Sequence, residues 1–401
     1  MHPRCPQHDR SRWQRSNPPV AAGAAGPVRR FGILLMMAMV TCGVATLVAT
    51  MTHARGGAGD DLDAEVDQAV ARAIDFLVEQ QRDNGAICDT YPRNATAMTS
   101  LSLLAMAAVG HQPTDVTAEG QAMRRALDYV LQEEMQDEEG YYGSADGSRM
   151  YGHGITALML AEMLGMGVDA EQDRLIRQRL NGAIDLILTS QQSRKSNERF
   201  EGGWRYLPNA RDADLSVTVW QVMALRSAQN AGIEVPGEAI DRAVGYLERS
   251  FVDRGGNEGG FTYQPNQGLQ RRHVTTTSMG LLSLQVCAQY DAPEIPAAVA
   301  WLEANPPEWG NRWILYGIYY YAQGMYQYAE GLRLEGDIEA GDRHEAESMK
   351  RVAELLLPHQ EDDGAWESRD GSERNAGEVY MTSMAVLSLS VKYHLLPIYQ
   401  R

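Results

Sequence analysis

The segment Asp212-Ala213-Asp214-Leu215-Ser216 places two carboxylates and a hydroxyl just before an apolar run, Val217-Thr218-Val219-Trp220. Residues of these types at such a place commonly cap a helix, because a side-chain oxygen can accept from a free amide of the first turn. His153, within Tyr151-Gly152-His153-Gly154, and His273, after Arg271-Arg272, stand at comparable places in neighbouring stretches. Two imidazoles and a carboxylate such as Asp214 would make a zinc or iron donor set. A histidine in a glycine-flanked loop reads first as a hydrogen-bonded structural residue, so neither a metal nor a cofactor is expected. The four cysteines, Cys5, Cys42, Cys88 and Cys287, show neither a CxxC motif nor Cys/His ligand spacing. A third group is aromatic: Trp313-Ile314-Leu315-Tyr316-Gly317-Ile318-Tyr319-Tyr320-Tyr321, then Tyr326 and Tyr328. Ring faces attract cations. A helix turns only part of such a run to one side, so ordinary packing accounts for much of it.

The elements that must position these residues repeat. An amphipathic core recurs as Ala73-Ile74-Asp75-Phe76-Leu77, Ala126-Leu127-Asp128-Tyr129-Val130, Ala183-Ile184-Asp185-Leu186-Ile187, Ala243-Val244-Gly245-Tyr246-Leu247, Ala298-Val299-Ala300-Trp301-Leu302 and Val352-Ala353-Glu354-Leu355-Leu356. The starts are about 55 residues apart, so six units account for the body. Most units continue with a Gln and a glycine turn: Gln81 then Asp83-Asn84-Gly85, Gln192 then Gly202-Gly203-Trp204, Gly259-Gly260-Phe261, and Gln360 then Asp362-Asp363-Gly364. A second helix follows in each, apolar and rich in small residues: 96–109, 154–165, 216–231, 275–289, 313–328 and 381–392. A helix apolar on nearly all faces must be buried on nearly all faces. Polar-faced helices alternating with buried ones predict two concentric layers, an (α/α)6 toroid, because an open solenoid would expose apolar ends.

In such a ring the N-terminal ends of the inner helices converge on one mouth. The residues brought there are Thr96 and Thr99, Tyr151 and His153, Asp212, Asp214 and Ser216, Arg271, Arg272 and His273, Arg312, Trp313 and Tyr316, and Glu378 and Tyr380. This predicts a polar and aromatic collar around an apolar well, with His153, Arg272, Trp313, Tyr316 and Tyr380 lining the cavity.

The segments from Gln191-Gln192 to Gly203-Trp204 and from Gln360 to Gly364-Ala365-Trp366 resemble the Gln/Trp repeat of squalene-hopene cyclases. The six helix pairs resemble the barrel of protein prenyltransferase β-subunits. The likeness covers about 62 to the end of the chain. It implies a terpenoid cyclase type of toroid in which Gln and Trp tie outer helices together. Unit two departs, keeping only Gly140-Tyr141-Tyr142, and unit five has only Trp309. Squalene cyclases carry two such barrels, and this chain has room for one. Asp212-Ala213-Asp214-Leu215 resembles a truncated Asp-x-Asp-Asp motif, which would make Asp214 the donor that protonates an alkene, Asp212 its companion and His273 a third catalytic candidate. Such a donor must be an unusually strong acid, made so by hydrogen bonds and a cationic partner. Leu215 stands where the family has its last Asp. The prenyltransferase zinc site cannot be carried over, since no Cys begins an inner helix here.

The chain has a formal charge of −17 over 401 residues. Its first 54 residues hold six Arg against one Asp, so the remainder carries −22. A body this acidic repels phosphates, and no nucleic-acid partner is expected. Phe31 to Met51 is apolar and uncharged, long enough for one bilayer crossing. The expected organisation is a basic cytoplasmic tail 1–30, a transmembrane anchor or signal segment 31–51, a linker 52–61 and the toroid 62–401, exported by the positive-inside rule. Cleavage after Thr52-His53-Ala54 would instead secrete the body. The expected partner is an apolar, isoprenoid-like molecule or a protein, held in the central cavity by an extracytoplasmic, membrane-anchored toroid. The alternatives are a terpene or triterpene cyclase, an isomerase acting through Asp214, and a toroid of the polysaccharide lyase kind. Binding is placed ahead of catalysis because the acid motif is incomplete and a fold does not transmit an activity.

Overall fold

Buried and half-exposed helices do alternate along the chain, as the repeat requires. The computed structural model describes residues 58–89, 94–253, 259–265, 267 and 272–399. The expected tail 1–30 and anchor 31–51 therefore lie outside the described residues. Among those described, no helix is long and apolar enough to cross a membrane.

In chain order α1 (Ala58–Glu79) pairs with α2 (Ala95–Ala108), α3 (Ala118–Val130) with α4 (Arg149–Met163), and α5 (Ala170–Gln191) with α6 (Leu215–Asn230). They are followed by α7 (Gly237–Ser250) with α8 (Val274–Val286) and α9 (Glu294–Ala304) with α10 (Ile314–Leu334). The last pair is α11 (Ile338–Leu356) and, past the short α12 (Gly371–Arg374), α13 (Glu378–Leu389). Each inner helix packs on the next, α2 on α4, α4 on α6, α6 on α8, α8 on α10 and α10 on α13, and α13 returns to α2. The ring is closed, and its mostly helical character agrees with the predicted toroid. Unit four adds a small hairpin of β1 (Phe251–Asp253) and β2 (Gly259–Phe261), paired antiparallel, where a plain connection was expected.

Every residue of α2 is buried. Its serine hydroxyls are tolerated because both find a carbonyl four residues back: Ser100 donates to Thr96 O at 2.8 Å and Ser102 to Met98 O at 3.0 Å. Serines on α8 and α13 do the same, through Ser283 and Ser388. Short side chains whose hydroxyls bond their own helix let six inner helices crowd together at little polar cost, although Ser278 Oγ on α8 and Tyr320 Oη on α10 are buried without a partner.

The layers are fastened by a repeated glutamine staple. Gln81 Nε2 donates to Gly85 O at 3.0 Å and to Ala122 O of the next outer helix at 2.8 Å. Gln191 does the same to Gly202 O and Ala239 O, at 3.0 and 2.8 Å. Gln360 bonds Gly364 O and, closing the ring, Ala69 O of α1. Unit two, expected to lack the signature, has it in Gln136, which bonds Gly140 O and Arg179 O at 2.9 and 2.8 Å. Gln191 rather than Gln192 carries the role in unit three; Gln192 is exposed. Glycine is required beside the staple. Gly202 (φ +84°) and Gly364 (φ +92°) lie so close to the next outer helix that a Cβ would sit 1.9 Å from Arg242 O and 2.4 Å from Arg72 O.

The expected open well is a filled axis. Trp220 of α6 stacks on Tyr319 of α10, with centroids 5.9 Å apart, and lies edge-on to Tyr320 at 6.0 Å. Trp220 Nε1 donates to Tyr316 Oη at 2.7 Å. From the other end, the hydroxyl of Tyr399, in the turn Pro397–Tyr399, meets that of Tyr319. Two depressions of about 340 and 300 Å3 lie on the outer wall, lined respectively by residues including Arg124 and Arg125, and Leu131 and Leu175.

Candidate functional site

At the mouth where the inner helices begin, the turn after α5 runs through Trp204, Arg205 and Tyr206 back to the start of α6. Trp204 is locked by its Nε1 donating to Ile187 O at 2.8 Å and its amide to Thr218 Oγ1 at 3.1 Å. That anchor leaves Arg205 facing the first turn of α6. Asp214 is the N-cap of this helix: Oδ1 accepts from the Val217 amide at 2.9 Å and from Ser216 Oγ at 2.7 Å. Its other oxygen pairs with Arg205 Nη1. Asp212 Oδ2 reaches Arg205 Nε at 3.2 Å. One guanidinium thus joins both carboxylates, with the Asp214 side chain fully buried and that of Asp212 42% exposed.

Burial pushes the Asp214 carboxyl above its ordinary value, against the hydrogen bond from Ser216, the charge of Arg205 and the Val217 amide. Asp214 in turn holds Arg205 firmly protonated, against the opposing effect of burial. Burial favours the protonated carboxyl and the Arg205 guanidinium favours the carboxylate, so the two act on Asp214 in opposite senses.

Around this pair stands an aromatic wall. The Arg205 guanidinium lies 4.2 Å from the ring centre of Tyr206 and 5.6 Å from that of Tyr263, and donates to Tyr263 Oη at 2.9 Å. The hydroxyls of Tyr206 and Tyr263 are 2.7 Å apart. Tyr151 reaches Ser216 Oγ, and Tyr316 Oη donates to Ser216 O at 2.9 Å. Tyr151, Arg205, Tyr206, Tyr263 and Trp313 are half-buried, so the wall is reachable from outside. Burial raises the Tyr151 and Tyr316 phenols well above their ordinary value, and they remain neutral donors.

The predicted residues divide accordingly. Asp212, Asp214 and Tyr316 come together. Trp313, with a left-handed backbone (φ 54°), puts its ring edge-on to Tyr316 at 6.5 Å, and its amide donates to Asp370 Oδ2 at 3.0 Å. Tyr380 is buried on α13, its phenol raised by burial and next by Glu373. Arg272 lies over Trp301 of α9 at 5.4 Å and His273 is an exposed N-cap of α8; the cation on Asp214 is Arg205 instead.

His153, expected to line the cavity, sits between the layers. Its Nδ1 accepts from the Tyr142 amide at 3.3 Å and its Nε2–H donates to Ala183 O at 3.0 Å. It takes the place of a threonine that in other units accepts the equivalent amide: Thr99 from Ile87, Thr218 from Trp204, Thr277 from Phe261 and Thr382 from Trp366. Burial lowers its imidazole to about 4, so it stays neutral. Among the described residues no three His, Cys, Asp or Glu side chains gather as a metal would need.

Sequence reasoning missed Arg205, Tyr206 and Tyr263, although Arg205-Tyr206 directly follows the Gly202-Gly203-Trp204 turn. It also missed Glu373, fully buried on α12, whose Oε1 accepts from the Tyr316 amide at 2.9 Å. Burial raises this carboxyl, opposed by the Tyr316 and Leu315 amides and Ser368 and assisted by Asp370.

No family model matches this chain, and no curated protein does. Solved structures do. An inactive variant of an α-1,6-mannanase from Salegentibacter, in complex with α-1,6-mannotriose, matches with TM-score 0.55 and 10% identity over 83% of this chain and 99% of its own. The Hormoconis resinae glucoamylase gives 0.52 and 12% over 82% and 73% respectively. A variant of the type II terpene cyclase MstE from Scytonema, in complex with geranylgeranyl dihydroxybenzoate, gives 0.50 and 15% over 84% and 99%. At these identities the likeness establishes the fold, an α/α toroid common to terpene cyclases and glycosidases. It does not place the chain among squalene-hopene cyclases.

Proposed function

We propose that this chain binds an apolar, isoprenoid-like molecule against the aromatic wall at the mouth of the ring. The observation that carries the reading is the half-buried pair Tyr206 and Tyr263 around Arg205, with Tyr151 against Tyr206 and Trp313 against Tyr316. Such rings offer a large apolar contact with polar tips to orient a ligand's head. The MstE variant, a toroid of the same fold, holds a geranylgeranyl compound, which supports the ligand class.

Cyclisation is the second reading, favoured by the MstE likeness and by Asp214 standing at the start of an inner helix. It requires the Arg205 contact to break so that the buried carboxyl takes up a proton, or another buried carboxyl, Glu373, to act. Glycoside cleavage needs two working carboxyl groups flanking the bond. Asp212 and Asp214 are both engaged by one guanidinium, and only Asp212 is exposed. We also place the body outside the cytoplasm behind residues 31–51, or secreted after cleavage, on the strength of the N-terminal charge pattern; cell fractionation tests that placement.

Calorimetric titration of the full chain with geranylgeraniol, followed by extraction, tests the site. The expected result is saturable binding, recovery of the unchanged alcohol, and at least tenfold weaker binding for a Tyr206→Ala, Tyr263→Ala double variant. A cyclised product would favour the second reading. Absence of binding would remove both.

A further inference from the structure

The ring has a second mouth, where the inner helices end, and the segment 394–399 enters it after the last repeat. His394 stacks on Tyr326 of α10, with ring centres 4.2 Å apart. Leu396, Ile398 and Tyr399 are all buried. The Ile398 amide donates to Glu162 Oε2 at 3.4 Å, and Gln327 Nε2 donates to Tyr399 O at 2.5 Å. The Tyr399 ring reaches inward until its hydroxyl meets that of Tyr319, which itself stacks on Trp220. One side chain from outside the six helix pairs thus completes the column that fills the axis.

We infer that residues 394–399 are an intramolecular plug occupying a latent chamber, apolar but for Glu162, Gln327 and Tyr319, and that their withdrawal opens a binding space for a largely apolar molecule of roughly a tyrosine's girth. Three features distinguish a plug from an ordinary terminal packing contact. The inserted group lies on the axis, whereas the other chain terminus of the body, α1, lies in the outer layer against α13 and α3. Polar groups buried on inner helices receive it: Glu162, Gln327 and Tyr319 each bond the segment. The segment itself is short and continuous with the surface at Leu395, 45% exposed. Segments so attached belong to the least stable parts of a fold and can open alone.

The inference deepens the ligand reading above but stands at the opposite mouth, so the two can fail separately. The test is to trim the folded full chain with carboxypeptidase to about Tyr393 and titrate it with the neutral dye Nile red. A Tyr399→Ala variant of the full chain runs in parallel. The expected result is one saturable dye site in the trimmed protein, at least tenfold tighter than in the untrimmed chain. Displacement by a synthetic peptide of residues 394–401 is also expected, and a smaller gain of binding for Tyr399→Ala. The Tyr206→Ala, Tyr263→Ala background should leave this site unchanged. Trimmed protein that keeps its helical circular dichroism but gains no dye site would overturn the inference. So would trimmed protein that unfolds, since the segment would then be an indispensable part of the core.

Discussion

Replacing Gln191 by Ala removes one staple and leaves its neighbour Gln192 untouched, so adjacent residues of one type become experiment and control. Gln191 is 3% exposed, and its amide nitrogen bonds Gly202 O and Ala239 O while its oxygen accepts from Arg242 Nε at 3.0 Å. Two neutral hydrogen bonds contribute about 1 kcal/mol each, and a buried carbonyl left dry at Gly202 adds about 1 more. The expected loss for Gln191→Ala is therefore about 3 kcal/mol. The exposed Gln192→Ala should change stability by less than about 0.5 kcal/mol. Half-buried Gln81 and Gln360 should fall between, near 1 kcal/mol, because water can replace part of what they provide. Urea unfolding followed by far-ultraviolet circular dichroism measures the order. Equal midpoints for the two adjacent alanine variants would refute the staple as what fastens the outer layer.

Two buried titrating groups give opposite pH slopes. Glu162, raised by burial to about 7 from an ordinary 4.5, binds its proton more tightly in the folded chain, so stability present below about pH 4.5 is lost as pH rises through 7. Glu162→Gln should abolish that slope and gain up to about 3 kcal/mol at pH 8 relative to the parent, read from urea midpoints across pH. His153, lowered to about 4 from 6.5, is bound to a proton more readily when unfolded, so the folded chain loses stability as pH falls from about 6.5 to 4. His153→Gln should flatten that acid limb, by up to about 3 kcal/mol at pH 4, and a limb of unchanged steepness would count against the neutral, inter-layer histidine.

The ring was legible because its causes are local and periodic: the Ala-x-x-aromatic-Leu cores mark the outer helices, and runs such as 96–108 announce burial on all sides. The four staples share a rule, Gln followed by Gly at positive φ, but spacing disguises it. Gln81, Gln136 and Gln360 precede their glycines by four residues, whereas Gln191 precedes Gly202 by a longer loop. In unit two only the turn Gly140-Tyr141-Tyr142 was recognised, and Gln136, four residues before its glycine, was not. His153 looked functional for a related reason: it holds a place that elsewhere belongs to threonine, and only the layer contacts reveal the substitution.

Arg205 was invisible for a different reason. Its pairing with Asp214 depends on how a turn folds back over a helix start, and no periodicity encodes that. The filled axis was illegible too, because Tyr399 follows the last repeat in a stretch without helical period. The sequence pattern could establish an apolar interior but not whether side chains meet across it.

Amide hydrogen exchange of the full chain, with and without saturating geranylgeraniol, tests most directly where a ligand sits. Binding at the aromatic wall predicts slowed exchange in residues 204–206, 212–217 and 262–264, with 394–399 unchanged. Slowed exchange confined to the outer helices, or none at all under saturating ligand, would contradict it.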